Sequence, residues 1–154
     1  MSVNSKDIAS AAVEYYRQGL SDSQVEDRLE WTIKYAKVAG IEFEEAAELM
    51  TAATNSMDLS AQQVADVFAY LGDASASGAD EIGIAMQKAS ASAQEAGVSF
   101  EWLGSYIAAV SENTRQAPEV IGTAFNSIMA RLHNIKASGF NEEDSTRIND
   151  VAKA

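Results

Sequence analysis

A single proline is the feature that most constrains the fold of this chain. Pro118 is the only proline among 154 residues, so nearly the whole sequence lacks the residue that removes a backbone N–H and breaks a helix. Apolar residues recur at intervals of three and four, which is the spacing of a helix with one buried face. No segment shows the strict alternation of a strand. We therefore predict an all-α fold.

The longest apolar stripe follows Pro118 and covers about five helical turns. We expect its members to lie together on one buried face: Val120, Ile121, Ala124, Phe125, Ile128, Met129, Leu132 and Ile135. Three shorter stripes occur earlier in the chain. They consist of Val64, Val67, Phe68 and Leu71; of Ile82, Ala85, Met86, Ala89 and Ala93; and of Leu103, Tyr106, Ile107 and Val110.

Local signals mark where the helices start and stop. Ser21 with Gln24 and Ser60 with Gln63 have the spacing of a capping box, in which two backbone N–H groups at a helix start are satisfied reciprocally. Glycines that follow an apolar stripe can close a helix in the left-handed conformation. The glycines in such positions are Gly19, Gly40, Gly72, Gly97 and Gly139.

These signals predict seven or eight helices with short connections. The spans are 4–18, 22–39, 43–57, 61–72, 79–95, 100–113 and 118–137, with an eighth helix at 141–152. We expect a compact multi-helix bundle built around antiparallel helical hairpins.

An internal echo supports hairpins of similar packing. The segment 39–44 matches the segment 96–101, and at the same offset Val64 and Phe68 match Ile121 and Phe125. We interpret this as two hairpins that flank a helix at 79–95, with duplication as an open alternative. That helix is rich in Ala, Ser and Gly, so it is thin enough to be central to the bundle. The alternative is a low-complexity linker.

Composition limits the classes of function. A chain of 154 residues that is 47% hydrophobic can enclose the core of one domain. Eleven basic residues against 23 acidic ones give a net charge of -12, which repels a phosphate backbone, so we predict no nucleic-acid binding. The absence of cysteine excludes disulfides and thiolate chemistry. The most apolar segment, 98–110, contains Glu101 and is shorter than the roughly 20 residues that span a bilayer.

Catalytic and metal-binding patterns do not occur. His133 is the only histidine, so a two-histidine metal site cannot form within the chain, and we interpret it as a cation near the C-terminus of a helix. There is no glycine-rich phosphate loop and no motif of a metalloprotease or of an α/β-hydrolase. We predict no enzymatic activity and no cofactor or metal.

Trp102 is the aromatic residue that fits the buried pattern least. Leu103, Tyr106 and Ile107 already define the apolar stripe of its helix, and Trp102 lies to one side of them. Its ring could pack at the boundary of the core or against another chain.

The segment 97–136 resembles the central block of phage tail tape-measure proteins, also called phage minor tail proteins. The residues that carry the resemblance are Gly97–Phe100, Tyr106–Ala108, Thr114–Gln116, Ile121–Phe125 and Ala130–Leu132. The resemblance covers about 79–151, and a weaker likeness in pattern reaches back to about residue 40.

The resemblance divides the chain into three parts. Residues 1–38 form N-terminal helices that it does not place, 39–137 form a helical core that resembles the tape-measure block, and 138–154 form a C-terminal helix that we expect to be truncated. Family members are usually several times longer, so we expect this chain to be an excised fragment.

Within the block we select residues for a structural or an interface role. Arg115 lies between two helices, where it could bond the last carbonyls of helix 100–113 or form a salt bridge to another subunit. Arg131 emerges from an apolar stripe and is the second candidate for such a bridge. Gly122 would permit close helix contact, and Phe125 belongs to the same motif. Pro118 occupies the first helical position, after Ala117 where the family commonly has serine.

The resemblance implies a structural component of a bacteriophage tail, made in the host cytoplasm and located in the tail interior of the virion. It implies roles in tail assembly, tail-length determination and genome ejection. Its partners would be other phage tail proteins and tail assembly chaperones, with self-association left open. The alternatives are a module that contacts the host membrane during ejection and a generic helical protein-binding domain.

Overall fold

The computed structural model describes residues 4–138, and this part of the chain contains seven α-helices and no strand. The helices are α1 (Ser5–Arg17), α2 (Asp22–Ala39), α3 (Phe43–Met57), α4 (Ala61–Ala74), α5 (Ala79–Ala96), α6 (Phe100–Thr114) and α7 (Pro118–Ser138). The all-α prediction is confirmed, and each helix lies within two residues of its predicted span. The predicted eighth helix and Gly139 lie outside the described residues.

Helix ends follow the predicted caps, with one exception. Before α4, the Ser60 Oγ accepts a hydrogen bond from the Gln63 N–H at 3.2 Å, while the Gln63 Oε1 accepts from the Ser60 N–H at 3.0 Å. Gly40 and Gly97 close α2 and α5 in the left-handed region. Gly72 does not close a helix. It lies inside α4, where an added Cβ would be 2.7 Å from the backbone nitrogen of Ala79, so its role is close approach.

Helix α5 is the centre of the bundle. Its apolar stripe, predicted from Ile82 to Ala93, is completely buried. The helix packs against α2, α3, α4, α6 and α7. Its small residues permit this, because at Gly83 an added Cβ would meet the Tyr35 hydroxyl and the Leu49 side chain. The low-complexity linker is therefore wrong.

The repeat is larger than the sequence echo suggested. Helices α2, α3 and α4 start at 22, 43 and 61, and α5, α6 and α7 start at 79, 100 and 118, a shift of 57 positions each time. The buried positions of α2 and α5 also correspond, as Thr32 with Ala89 and Ala36 with Ala93. Helix α5 is thus the first helix of a second three-helix unit and not a separate element between two hairpins. The N-cap of α1, Asn4, lies 56 positions before Ser60, so α1 corresponds to α4 and α7.

Three aromatic rings join the two units. Tyr35 of α2 contacts Phe68 of α4 with ring centroids 5.0 Å apart, and Phe68 contacts Phe100 of α6 at 5.5 Å. All three side chains are buried. The Tyr35 hydroxyl donates a hydrogen bond of 2.8 Å to the carbonyl oxygen of Ala79, at the first turn of α5. The polar end of the ring is therefore satisfied inside the core.

The long stripe of α7 does not form one buried face. Ile121, Phe125 and Met129 are buried. The structure exposes the other positions in whole or in part: Val120 (55%), Ile128 (54%), Ile135 (46%), Ala124 and, less, Leu132. At 100° per residue the eight positions cover about 180° of the helix, whereas α7 packs chiefly on α5 with a smaller contact to α6. Tyr106 of the α6 stripe is also exposed, at 49%.

Replacement of Tyr35 by Phe should change the response of the fold to alkali. Burial raises the pKa of Tyr35 well above its ordinary value of 10.0, and the charges of Asp80 and Glu45 add to the shift. The wild-type fold therefore keeps its full stability below pH 10. Above pH 10 the unfolded tyrosine ionises while the folded one does not, which costs about 1.4 kcal/mol per pH unit.

In urea unfolding, Tyr35→Phe should lower the free energy of unfolding by about 1 kcal/mol at pH 7 through the lost hydrogen bond. Between pH 10 and 11 its stability should fall less than that of the wild type. Tyr70→Phe is the control, since Tyr70 is 72% exposed. Equal alkaline losses in wild type and Tyr35→Phe would contradict the assignment.

Candidate interaction surfaces

No catalytic constellation is present in the described part of the chain. Within residues 4–138 no group of three or more histidine or acidic side chains is placed to hold a metal ion, and no helix combines the length and apolar character needed to cross a membrane. The His133 Nδ1 lies 2.8 Å from the Glu95 carbonyl oxygen, so this nitrogen carries the proton and donates from α7 to the end of α5. The candidate functional features are surfaces.

The first surface is an aromatic pair on α6. Trp102 is 44% exposed, and its ring stacks on the Tyr106 ring with centroids 4.0 Å apart and an interplanar angle of 27°. The two residues are four positions apart and therefore lie on the same side of the helix. The stack holds both rings in a fixed orientation with their outer faces in solvent, which is the arrangement of an aromatic contact surface.

The second surface lies on the side of α7 that faces away from α5. We call Val120, Ala124, Ile128 and Arg131 the α7 outer face. All four are exposed, and their spacing of four, four and three aligns them along the helix. Arg131 thus occupies an apolar surface, as the sequence suggested. Within residues 4–138 the structure records no ion pair for its guanidinium.

The opposite side of α7 is its inner face, which packs tightly on α5. Phe125 is buried there. A Cβ added to Gly122 would lie 2.5 Å from the carbonyl oxygen of Ala85 and 2.9 Å from its Cα. Both are backbone atoms, which cannot move aside as the end of a side chain can. Beside them the Ser92 hydroxyl donates a hydrogen bond to the Asn126 side chain. Gly122 and Phe125 therefore have structural positions.

Arg115 and Pro118 form the turn between α6 and α7. Arg115 caps α6 in the left-handed conformation, with φ of 53° and its N–H bonded to the Ser111 carbonyl at 3.0 Å. The cap is therefore made by its backbone, and the exposed guanidinium is left available to solvent. The Ala117 carbonyl accepts from the N–H groups of Val120 and Ile121, so Pro118 occupies the first helical position.

A third surface was missed in the sequence. Ala9, Val13 and Tyr16 of α1 are exposed, with Val13 at 51% and Tyr16 at 49%. Their spacing of four and three places them on one side of the helix. That spacing was visible in the sequence, but it could not tell an outer stripe from the inner one. The inner side of α1 carries Tyr15, which is 1% exposed.

These surfaces, on a bundle without a catalytic centre, agree with a comparison of the chain with protein-family models. The model for phage-related minor tail proteins matches residues 1–149. The chain belongs to this family. The resemblance that the sequence suggested is confirmed, and the match includes the first 38 residues, which the resemblance had not placed. No curated protein and no solved structure matches the chain.

Membership gives the minor tail protein a structural role in a phage tail and a place in the virion. It implies contact with other tail proteins and favours a role without enzymatic activity. The surfaces of α1, α6 and α7 are the parts of this chain available for such contacts.

Replacement of Gly122 by Ala should destabilise the minor tail protein. The added methyl group would collide with the Ala85 backbone, so α7 must shift, and overpacking of this kind costs about 1–3 kcal/mol. Thr123→Ala is the control, because Thr123 is exposed on the same helix and its truncation should change stability by less than about 0.5 kcal/mol. The measurement is urea unfolding followed by circular dichroism. Stabilisation by Gly122→Ala, the usual effect in an open helix, would contradict the close contact.

Replacement of Arg115 by Gly should stabilise the protein by about 0.5–1 kcal/mol, because glycine adopts the left-handed conformation without a steric cost. Glu112→Gly is the matched control within α6 and should destabilise instead. Thermal unfolding of both variants gives the comparison. If Arg115→Gly is less stable than the wild type, the guanidinium makes a stabilising contact that outweighs the strain.

Proposed function

We propose that this chain is part of a tail tape-measure protein and acts as a folded module in tail assembly, tail-length determination and genome ejection. The proposal is supported by the resemblance of 97–136 to the tape-measure block and by membership of the minor tail protein family. The module would lie in the tail interior of the virion and would contact other tail proteins and tail assembly chaperones. It would have no catalytic role.

The compact packing carries the inference that the module is not itself the ruler. A ruler needs an extended segment in which each residue adds a fixed length. The 135 residues from 4 to 138 would span about 200 Å as one continuous helix. The longest described helix, α7, has only 21 residues, which corresponds to about 32 Å. Because the helices fold back around α5, the number of residues in the module does not set its length.

Candidate contact residues for assembly are the exposed ones. Trp102 presents a ring in fixed orientation, Arg131 presents a charge on an apolar surface, and Arg115 presents its guanidinium at the turn between α6 and α7. Aromatic and arginine side chains are enriched where protein interfaces have their strongest contacts. Pro118, Gly122 and Phe125 would serve the same surfaces indirectly, because they fix where α7 lies.

The experiment separates a ruler from a folded module by using a variant that conserves chain length. Gly122→Leu in the parent phage protein keeps every residue but forces α7 away from the Ala85 backbone. In-frame deletion of 79–136 removes residues and fold together. Thr123→Ala is the control that changes neither. Electron microscopy gives the number and length of tails, and plaque assays give infectivity.

A folded module predicts that Gly122→Leu and the deletion both reduce assembled tails and infectivity, while Thr123→Ala has no effect. A ruler predicts a different pattern. Tails of normal number and length with Gly122→Leu, together with tails shortened in proportion to the residues deleted, would overturn the proposal.

A further inference from the structure

Helix α4 shows what a helix in this repeat contacts when it has neighbours on both sides. On one side its Phe68 packs against Tyr35 of α2, in the same three-helix unit. On the other side its Leu71 packs against α6 of the next unit, where a Cβ added to Gly104 would collide with the Leu71 side chain. Leu71 is 6% exposed and Phe68 is 0% exposed.

Helix α7 corresponds to α4 but is covered on one side only. Phe125 matches Phe68 and packs inward in the same way. Ile128 matches Leu71, 57 positions earlier, yet Ile128 is 54% exposed. The α7 outer face is therefore the counterpart of the α4 surface that contacts the following unit. It is a packing surface for which the described chain provides no next unit.

Helix α1 corresponds to α4 as well and is covered on the other side only. Tyr15 matches Leu71 at the 56-position offset, and both are buried. Val13 and Ala9 match Ala69 and Ala65, which lie in α4 at intermediate and buried positions, but Val13 and Ala9 are exposed. We call Ala9, Val13 and Tyr16 the α1 outer face. It is the counterpart of the α4 surface that packs within the preceding unit.

The two outer faces differ in electrostatic environment. Residues 115–138 contain three basic residues and one acidic residue, whereas residues 4–27, around the α1 outer face, contain five acidic and two basic residues. The chain as a whole carries -12, so most contacts between two copies would be repulsive. The approach of α7 of one copy to α1 of another brings together net charges of opposite sign.

We propose that the minor tail protein associates head to tail, with the α7 outer face of one copy packed on the α1 outer face of the next. Each of the two helices would then gain the half of its contacts that α4 already has. The faces lie on the first and last described helices of the repeat, so they are not the same surface, and the contact leaves one face open at each end. Such a contact is heterologous and can extend beyond a dimer. This inference does not depend on the tape-measure proposal.

The test uses two variants of the full chain and a control, each with a glutamate at an exposed valine or isoleucine of a helix. Ile128→Glu blocks the α7 outer face and leaves the α1 outer face intact. Val13→Glu does the reverse. Val38→Glu is the control, because Val38 is 63% exposed on α2 and belongs to neither face. Circular dichroism establishes that all three keep the helical fold.

Sedimentation velocity at about 0.15 M salt, where long-range repulsion between the chains is screened beyond about 8 Å, gives the association state. Wild type and Val38→Glu should form dimers and larger species at about 0.5 mM protein, which detects dissociation constants weaker than micromolar. Each blocking variant alone should remain at 16.4 kDa, with its dissociation constant raised at least tenfold. An equimolar mixture of the two blocking variants should form a dimer of one copy of each and nothing larger, because one intact face of each kind remains.

Two results would overturn the proposal. One is a wild type that stays monomeric at the highest concentration. The other is a mixture of Ile128→Glu and Val13→Glu in which no dimer forms although the wild type associates, since that pattern indicates pairing of two identical faces.

Discussion

The close approach of α5 and α7 is the constraint on which the rest of the structure depends. The backbone of Ala85 lies where a Cβ of Gly122 would be, so the two helices meet almost backbone to backbone. This contact requires small residues on both helices over several turns, and α5 supplies them with Ala85, Ala89 and Ser92. Because α5 is thin, other helices can also surround it, and the Tyr35 hydroxyl reaches the Ala79 carbonyl at its first turn. One composition bias, toward small residues, thus explains both the central position of α5 and the position of α7.

The two three-helix units share an architecture but solve their contacts differently. In the first unit Tyr35 of α2 packs its ring on Phe68 of α4. In the second unit the position equivalent to Tyr35 is Ser92, which donates a hydrogen bond to Asn126 of α7. The large ring of the first unit extends toward α5 and joins the units, whereas the small hydroxyl of the second unit permits the close α5–α7 contact. Repetition therefore fixes where helices lie, and substitutions at equivalent positions decide how closely they pack.

The parts of this fold that were predictable from sequence depend on local chemistry. Helix bounds follow from capping residues and from the period of apolar residues, so they were predicted within two residues. The orientation of α7 was not predictable in the same way. Its apolar stripe covers half of the helix, and which half is buried depends on α5 and α6, which lie beside it in space. Gly72 is a similar case: a glycine near a helix end indicates a left-handed cap, but here the first turn of α5 lies against it. The surfaces of α1, α6 and α7 likewise required the structure, because exposure is a property of neighbours. Trp102 was the exception, since its position beside the stripe indicated that the core had no place for it.

The distribution of charge gives the bundle a direction. Residues 4–114 contain 18 acidic and six basic residues, whereas residues 115–138 have a surplus of two positive charges. The net charge of -12 therefore does not act uniformly: it opposes contacts through α1 to α6 between like molecules and leaves α7 as the surface that can approach an acidic partner. Hydrophobic area on the α7 outer face alone would permit many partners, because burial of apolar surface is not directional. The arginines add orientation, since a buried or half-buried arginine is stabilised only where a carboxylate or carbonyl oxygen faces it. A structural protein without catalytic groups can select its neighbours in this way, with apolar area for affinity and charge asymmetry for polarity.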